Sequence, residues 1–176
     1  MASSPNGLKV FRGLIAGEEL EELRALCRGL PPPPYNPLFR YFGDFGENAR
    51  RIEEVRPWMV RFAQRMLERG LFETLPNQHR VTNWRGELSA QFKWHIDNHR
   101  HGEEILAICT TGPRSIGFRD PRRGKAAPYV LELEAGDAYL IAGAARWKWE
   151  HKVMPVGHER SGGESFVLAY RRPSAR

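Results

Sequence analysis

Gln91-Phe-Lys-Trp-His-Ile-Asp97 alternates apolar and polar side chains. In a strand, successive side chains point to opposite faces, so Phe92, Trp94 and Ile96 fall on one face and Gln91, Lys93, His95 and Asp97 on the other. The first set makes a core face. The second sets an imidazole and a carboxylate side by side, about 7 Å apart along the backbone. Outward from this run, short β-like stretches recur at 105–111, 115–119, 129–133, 138–142, 146–153 and 165–171, with turn residues between them. So many short strands bury themselves most naturally in a sandwich or jelly roll that closes on itself.

The N-terminal part reads differently. Residues 1–7 look like a loose tail. Gly17-Glu-Glu-Leu-Glu-Glu-Leu-Arg-Ala-Leu-Cys-Arg-Gly29 predicts a helix: Leu20, Leu23, Leu26 and Cys27 recur at helical spacing and acids crowd its start. Pro31 to Pro34 then forbid helix and inner strand. A second helix is expected from about Pro57 to Arg69, with Trp58, Phe62 and Met66 on one stripe and Gly70 as its cap. Two helices followed by about eight short strands give an α+β chain, with no internal repeat and no second domain.

The chain has 176 residues, 41% of them hydrophobic and 27% charged, the composition of an ordinary globular domain. No apolar run approaches the roughly 20 residues of a membrane span, and Met1-Ala-Ser-Ser-Pro-Asn-Gly7 has no basic-then-apolar leader pattern. Cys27 and Cys109 sit in apolar patterns without metal spacing and read as reduced core residues of an intracellular protein, cytoplasmic or nuclear. The net charge of +6 makes a polyanion a candidate partner. No feature calls for an oligomer, and a monomer is expected.

His95 and Asp97 can take two adjacent sites on one metal. A further imidazole is available in Arg146-Trp-Lys-Trp-Glu-His151. Two histidines and one carboxylate on one triangular face leave the opposite positions open, the arrangement of non-haem Fe(II) oxygenases. Taken alone, the residues leave this open. His79, His99, His101 and His158 are rival ligands, and a histidine near an aspartate is often only a hydrogen-bonded surface pair.

The surrounding motifs bear on the choice. They run in order as Pro76-Asn-Gln-His-Arg-Val-Thr-Asn83, Trp94-His-Ile-Asp-Asn98, Glu104-Ile-Leu-Ala-Ile-Cys-Thr-Thr-Gly112, Gly117-Phe-Arg119, Leu133-Glu-Ala-Gly-Asp137 with Tyr139-Leu-Ile-Ala-Gly143, Gly143-Ala-Ala-Arg-Trp-Lys-Trp-Glu-His151 and Phe166-Val-Leu-Ala-Tyr-Arg171. In this order, together with Arg40-Tyr-Phe-Gly43 before them, the sequence resembles the AlkB family of Fe(II)/2-oxoglutarate dioxygenases over residues 38–173. The resemblance implies a double-stranded β-helix (jelly roll) with the two N-terminal helices packed on it. It divides a single domain, 1–176, into N-terminal helices and a lid-like loop (8–75) and a catalytic core (76–173).

The resemblance also implies roles. His95, Asp97 and His151 become the ligands of Fe(II). Asn83 and Arg171 become cosubstrate residues for 2-oxoglutarate. The family pattern is broken at two positions, where Ser165 replaces an arginine and Arg85 a tyrosine. Two readings follow: that Arg85 supplies the missing charge to the far carboxylate, which is the expectation here, or that the distal pocket is degraded and 2-oxoglutarate binds weakly or gives way to another reductant. The implied reaction is oxidative decarboxylation of 2-oxoglutarate coupled to C–H hydroxylation, with demethylation where the carbon is an N-methyl. A nucleobase in RNA or DNA is the expected substrate, single-stranded or flipped. Asn98-His-Arg-His101, Arg119-Asp-Pro-Arg-Arg-Gly-Lys125 and Arg171-Arg172 interleave charge with aromatics, and the lid-like loop offers Arg40, Tyr41, Phe42 and Phe45. Arg40, Phe42 and His99 are the substrate candidates. The alternatives are an oxygenase acting on protein or small molecules, and a catalytically weak nucleic-acid-binding member.

Overall fold

The computed structural model describes residues 3–29, 39–42, 56–73, 75–76, 78–83, 93–154 and 164–169. Within these, strands β1 (Leu8–Phe11), β2 (Phe39–Phe42), β3 (Gln78–Asn83), β4 (Ile105–Cys109), β7 (Ala138–Ile141) and β9 (Glu164–Ala169) form a six-stranded sheet in the order β1-β7-β4-β9-β3-β2. A smaller sheet has the order β6-β5-β8, from β5 (Arg114–Arg119), β6 (Tyr129–Leu133) and β8 (Glu150–Val153). Every pairing is antiparallel, and the whole is a jelly-roll-like arrangement of two sheets.

Strand alternation builds two apolar layers. Leu106, Ile108, Ala138 and Leu140 leave one face of the large sheet and cluster with Leu20, Leu23 and Cys27 of helix α1 (Gly17–Gly29) and Phe62 and Met66 of helix α2 (Arg56–Glu68). Ile105, Ala107, Cys109, Tyr139 and Ile141 leave the other face and meet Ile116, Phe118, Leu131, Leu133 and Val153 of the small sheet. Every residue of β4 is buried, so this strand is apolar along its whole length rather than alternating. The helices end as their sequences require. Glu18 and Glu19 meet the positive end of the α1 dipole. Gly70, at φ +67°, closes α2 with its N–H on Leu67 O, while Leu71 N–H reaches Met66 O, a left-handed cap that favours glycine.

Three expectations need correction. Residues 1–7 are not a loose tail where they are described. Pro5 is buried, Leu8 N–H donates to Pro5 O, Ala145 N–H donates to Asn6 O, and the following residues enter the large sheet as β1 beside β7. The N-terminal segment therefore supplies sheet as well as helix. Residues 146–153 are not one strand: Gly143–Trp147 forms a short helix, α3, and β8 starts at Glu150. Within 93–97 only His95 is in a bridge, and Ile96 is exposed. Trp94 lies on the outer face of the small sheet, where a Cβ on Gly117 would come within 2.7 Å of its ring. Glycine at 117 is what lets that ring lie so close.

The connection from β5 to β6 is held by Asp120. Its carboxylate accepts from Arg122 N at 3.0 Å, Nε at 2.8 Å and Nη2 at 2.7 Å, capping the turn Pro121–Arg123. The Arg122 side-chain hydrogen bonds hold the Asp120 carboxyl down at about 2. A carboxyl held below its unfolded value near 4 stabilises the fold above that value, and the stabilisation is lost as pH falls toward the folded value. Asp120→Asn is therefore expected to lower Tm at pH 7, with the gap to wild type closing between about pH 4 and pH 2 in thermal melts.

Candidate metal centre

His95 and His151 face each other across a single antiparallel bridge. His95 N–H donates to His151 O at 3.2 Å, and His151 N–H donates to His95 O at 2.8 Å. Opposed residues of an antiparallel pair carry their side chains to the same side. The two rings accordingly stand with centroids 4.5 Å apart and planes tilted by 48°. His151 is also opposite Phe118 of β5, whose fully buried ring lies 6.1 Å from the imidazole, so both point into the layer between the sheets.

Asp97 completes the group. Its Oδ1 is 3.8 Å from His95 Nε2 and its Oδ2 is 3.4 Å from His151 Nε2. One ligand atom from each of the three lies within 4.8 Å of the others. Donors held by one ion at about 2.1 Å sit roughly 3–4 Å apart, so this set fits a metal with little movement. The tautomer agrees. His95 Nδ1 is 2.9 Å from Lys93 O, which can only accept, so Nδ1 carries the proton and Nε2 keeps its lone pair for the ion. The side chains of Asp97 and His151 are 12% exposed and that of His95 37%, so the group opens to solvent on the His95 side. Two imidazoles and one carboxylate suit Fe(II) and leave open positions for small ligands.

Of the rival histidines, His99 and His101 follow in a short turn, His99–His101, and neither belongs to the group. His79 lies on β3, and His158 lies outside the described residues. Asn83 is the last residue of β3, opposite Glu164, while Thr82 is opposite Ser165. The register thus separates Asn83 from the series Ser165, Val167 and Ala169, which is opposite Cys109, Ala107 and Ile105. Arg85 and Arg171 fall outside the described residues. Arg40 and Phe42 are on β2, opposite Val81 and His79, and His99 is exposed.

The residue that sequence reasoning passed over is Arg146. It was legible only as one letter of the Gly143-to-His151 motif, yet it is buried beside the centre with its guanidinium on the backbone that follows Asp97. Cys27 and Cys109 are both buried, as their sequence context implies, and burial pushes the Cys109 thiol up to about 11.

No family model and no curated protein matches the sequence. Solved structures do match the fold. A Pseudomonas putida prolyl-4-hydroxylase aligns over 94% of this chain and 93% of its own at a TM-score of 0.58 and 16% identity. A Burkholderia pseudomallei oxidoreductase of the 2OG-Fe(II) oxygenase family aligns over 95% and 85%, at 0.58 and 15%. OsALKBH1 aligns over 98% and 100%, at 0.53 and 11%. The architecture is therefore the jelly-roll-like fold of 2OG-Fe(II) oxygenases. Among the described residues no helix is long and apolar enough to cross a membrane.

Proposed function

We propose that this chain is an Fe(II)/2-oxoglutarate-dependent dioxygenase of the AlkB type that hydroxylates or oxidatively demethylates a nucleobase in RNA or DNA. The observation that carries the reading is the convergence of His95, Asp97 and His151, in a fold shared with solved 2OG-Fe(II) oxygenases. When bound, the iron and its cosubstrate supply the oxidising power for C–H hydroxylation. The chain would hold the ion with those three residues. We read the two sheets as a double-stranded β-helix with the centre at its mouth.

For the cosubstrate we assign Arg171, two positions beyond Ala169 in the alternation that begins at Ser165, to a carboxylate of 2-oxoglutarate. Asn83, paired with Glu164 at the end of the described part of β3, and Arg85, outside the described residues, are assigned to the same cosubstrate. For the substrate, Arg40, Phe42 and His99 are assigned to phosphate contact and base stacking. The connection from β5 to β6 adds to this. Arg122 and Arg123 are 69% and 62% exposed while the Asp120 beneath them is 4% exposed. Arg119 and Arg123 line a cavity of about 310 Å³ with Trp149. Arg119 is opposite Glu150, to which it is ion-paired at 2.6 Å, and it stacks on Trp94, so this surface lies on the outer face of the small sheet, one strand position from His151. OsALKBH1, which shares the fold, carries the AlkB-homologue name.

The second reading is a protein substrate; a prolyl-4-hydroxylase is among the proteins that share the fold. A panel of methylated RNA and DNA oligonucleotides and methylated and proline-rich peptides, incubated with Fe(II), 2-oxoglutarate and oxygen and read by mass spectrometry, separates the two. Loss of one methyl or gain of one oxygen on a nucleobase is expected. A peptide modified while every oligonucleotide stays intact transfers the assignment to the second reading. In the same panel, Arg122→Glu with Arg123→Glu is expected to weaken single-strand binding by about tenfold or more at low salt.

A further inference from the structure

Arg146 is 1% exposed and is the largest fully buried side chain among the described residues. Arginine is almost never buried unless its donors are met. Here the guanidinium is spent on backbone: Nε donates to Gly102 O at 3.0 Å, Nη1 to Asp97 O at 3.0 Å and Nη2 to Asn98 O at 2.7 Å. The three carbonyls belong to one short turn, which is closed from within by His101 N–H on Asn98 O and Gly102 N–H on His99 O. The guanidinium also stacks 4.1 Å over the Trp147 ring, whose Nε1 donates to Glu103 at 2.9 Å.

The two ends of this arrangement matter. The turn begins at Asp97. Arg146 sits on α3, which leads within five residues to His151 on β8. His95 and His151 are already tied by their backbone bridge, but Asp97 lies two residues past that bridge and is not in a strand. We propose that Arg146 is a positioning residue, a three-pronged clamp that fixes the Asp97 carboxylate relative to His151 and so sets the metal-binding geometry. The inference rests on the ferrous-site reading above. The planar fork of arginine spans three diverging carbonyls; the single ammonium of lysine, a point donor, cannot. The positive charge alone is therefore not the function.

A purely structural arginine would stabilise the fold without governing metal affinity, and the test separates these roles. Co(II) is titrated into wild type, Arg146→Lys, Arg146→Gln and, as a destabilised control on the helix side of the large sheet, Phe62→Leu. Affinity is read by calorimetry, and coordination by the visible Co(II) absorption. Amide hydrogen exchange is followed at His101 and Gly102 in the metal-free proteins. In wild type these two amides should be protected; exchange as fast as in an unstructured chain would overturn the clamp without any variant. Arg146→Lys and Arg146→Gln should bind Co(II) about 10–100-fold more weakly, with a changed absorption band and faster exchange at those two amides. Phe62→Leu should melt earlier and bind Co(II) as wild type does. Wild-type affinity in Arg146→Lys, or an equal loss of affinity in Phe62→Leu, overturns the proposal. A wild type that takes no Co(II) overturns the metal centre itself, an outcome distinct from a wild type that binds while Arg146→Lys binds equally well.

Discussion

Asp97→Ala is expected to abolish metal-dependent turnover while leaving the metal-free fold nearly unchanged. The carboxylate is the only anionic donor in the group, and its two oxygens face one imidazole each, at 3.8 Å and 3.4 Å. Without it two neutral imidazoles remain, and a divalent ion is left with no charge to offset its own. Losing a residue that merely supports a ligand costs about 10–100-fold in affinity or activity, so losing a ligand should cost more than about 100-fold. The stability readout follows from mass action. A metal at 100 times its Kd stabilises the wild type by about 2.7 kcal/mol, and that increment should vanish in the variant. Thermal melts with and without Co(II), run beside 2-oxoglutarate consumption assays, check both halves. An Asp97→Ala protein that still melts later with Co(II) would show that other residues hold the ion.

Much of this was legible in the sequence because the strands obey alternation and the helices carry their own punctuation. The fully apolar run Ile105–Cys109 and the half-apolar run Tyr129–Leu133 are found where their patterns put them. Gly17–Gly29 and Arg56–Glu68 match the periodic stripes and terminal glycines. β1 escaped because Leu8-Lys-Val-Phe11 is four residues long and only becomes a strand by pairing with β7, more than a hundred residues away. Local propensity carries no trace of such a partner.

That His95, Asp97 and His151 converge was legible in the residues, but how they do so was not. Strand alternation assigned His95 and Asp97 to one face, and they do converge, but not for that reason. His95 is held by the bridge to His151, while Asp97 leaves the strand path and is brought back through a turn. The same alternation assigned Ile96 to the core, where the structure exposes it, and hid the short helix that carries Arg146 inside a supposed strand. The signal available was chemical rather than periodic: an arginine that follows Ala144-Ala145, in a motif ending at His151. A buried arginine must be met by acceptors, and those that Arg146 meets are the backbone carbonyls of Asp97, Asn98 and Gly102. Lys93 O fixes the His95 tautomer in the same way, through a main-chain atom that no side-chain pattern encodes.

The second large effect is expected at Phe118, where fold and site share one side chain. The ring is fully buried on the central strand of the small sheet, edge-on to Tyr139 at 5.9 Å, 6.5 Å from Tyr129 and 6.1 Å from His151. Phe118→Ala removes the ring and leaves a cavity between two sheets that are each hydrogen-bonded internally and cannot readily collapse on it, so a loss of about 3–5 kcal/mol is expected. In a chain of this size that corresponds to a Tm lower by on the order of 10 °C. The informative comparison is Phe62→Ala, which removes an equally buried ring from the helix-side layer. Both variants should unfold early in denaturant and heat. Only Phe118→Ala should also weaken Co(II) binding, because only there does the cavity adjoin a ligand and free the His151 imidazole to change its orientation. Equal Co(II) affinity in the two variants would mean that the bridge to His95 alone orients His151, and that the hydrophobic layer serves the fold without serving the metal.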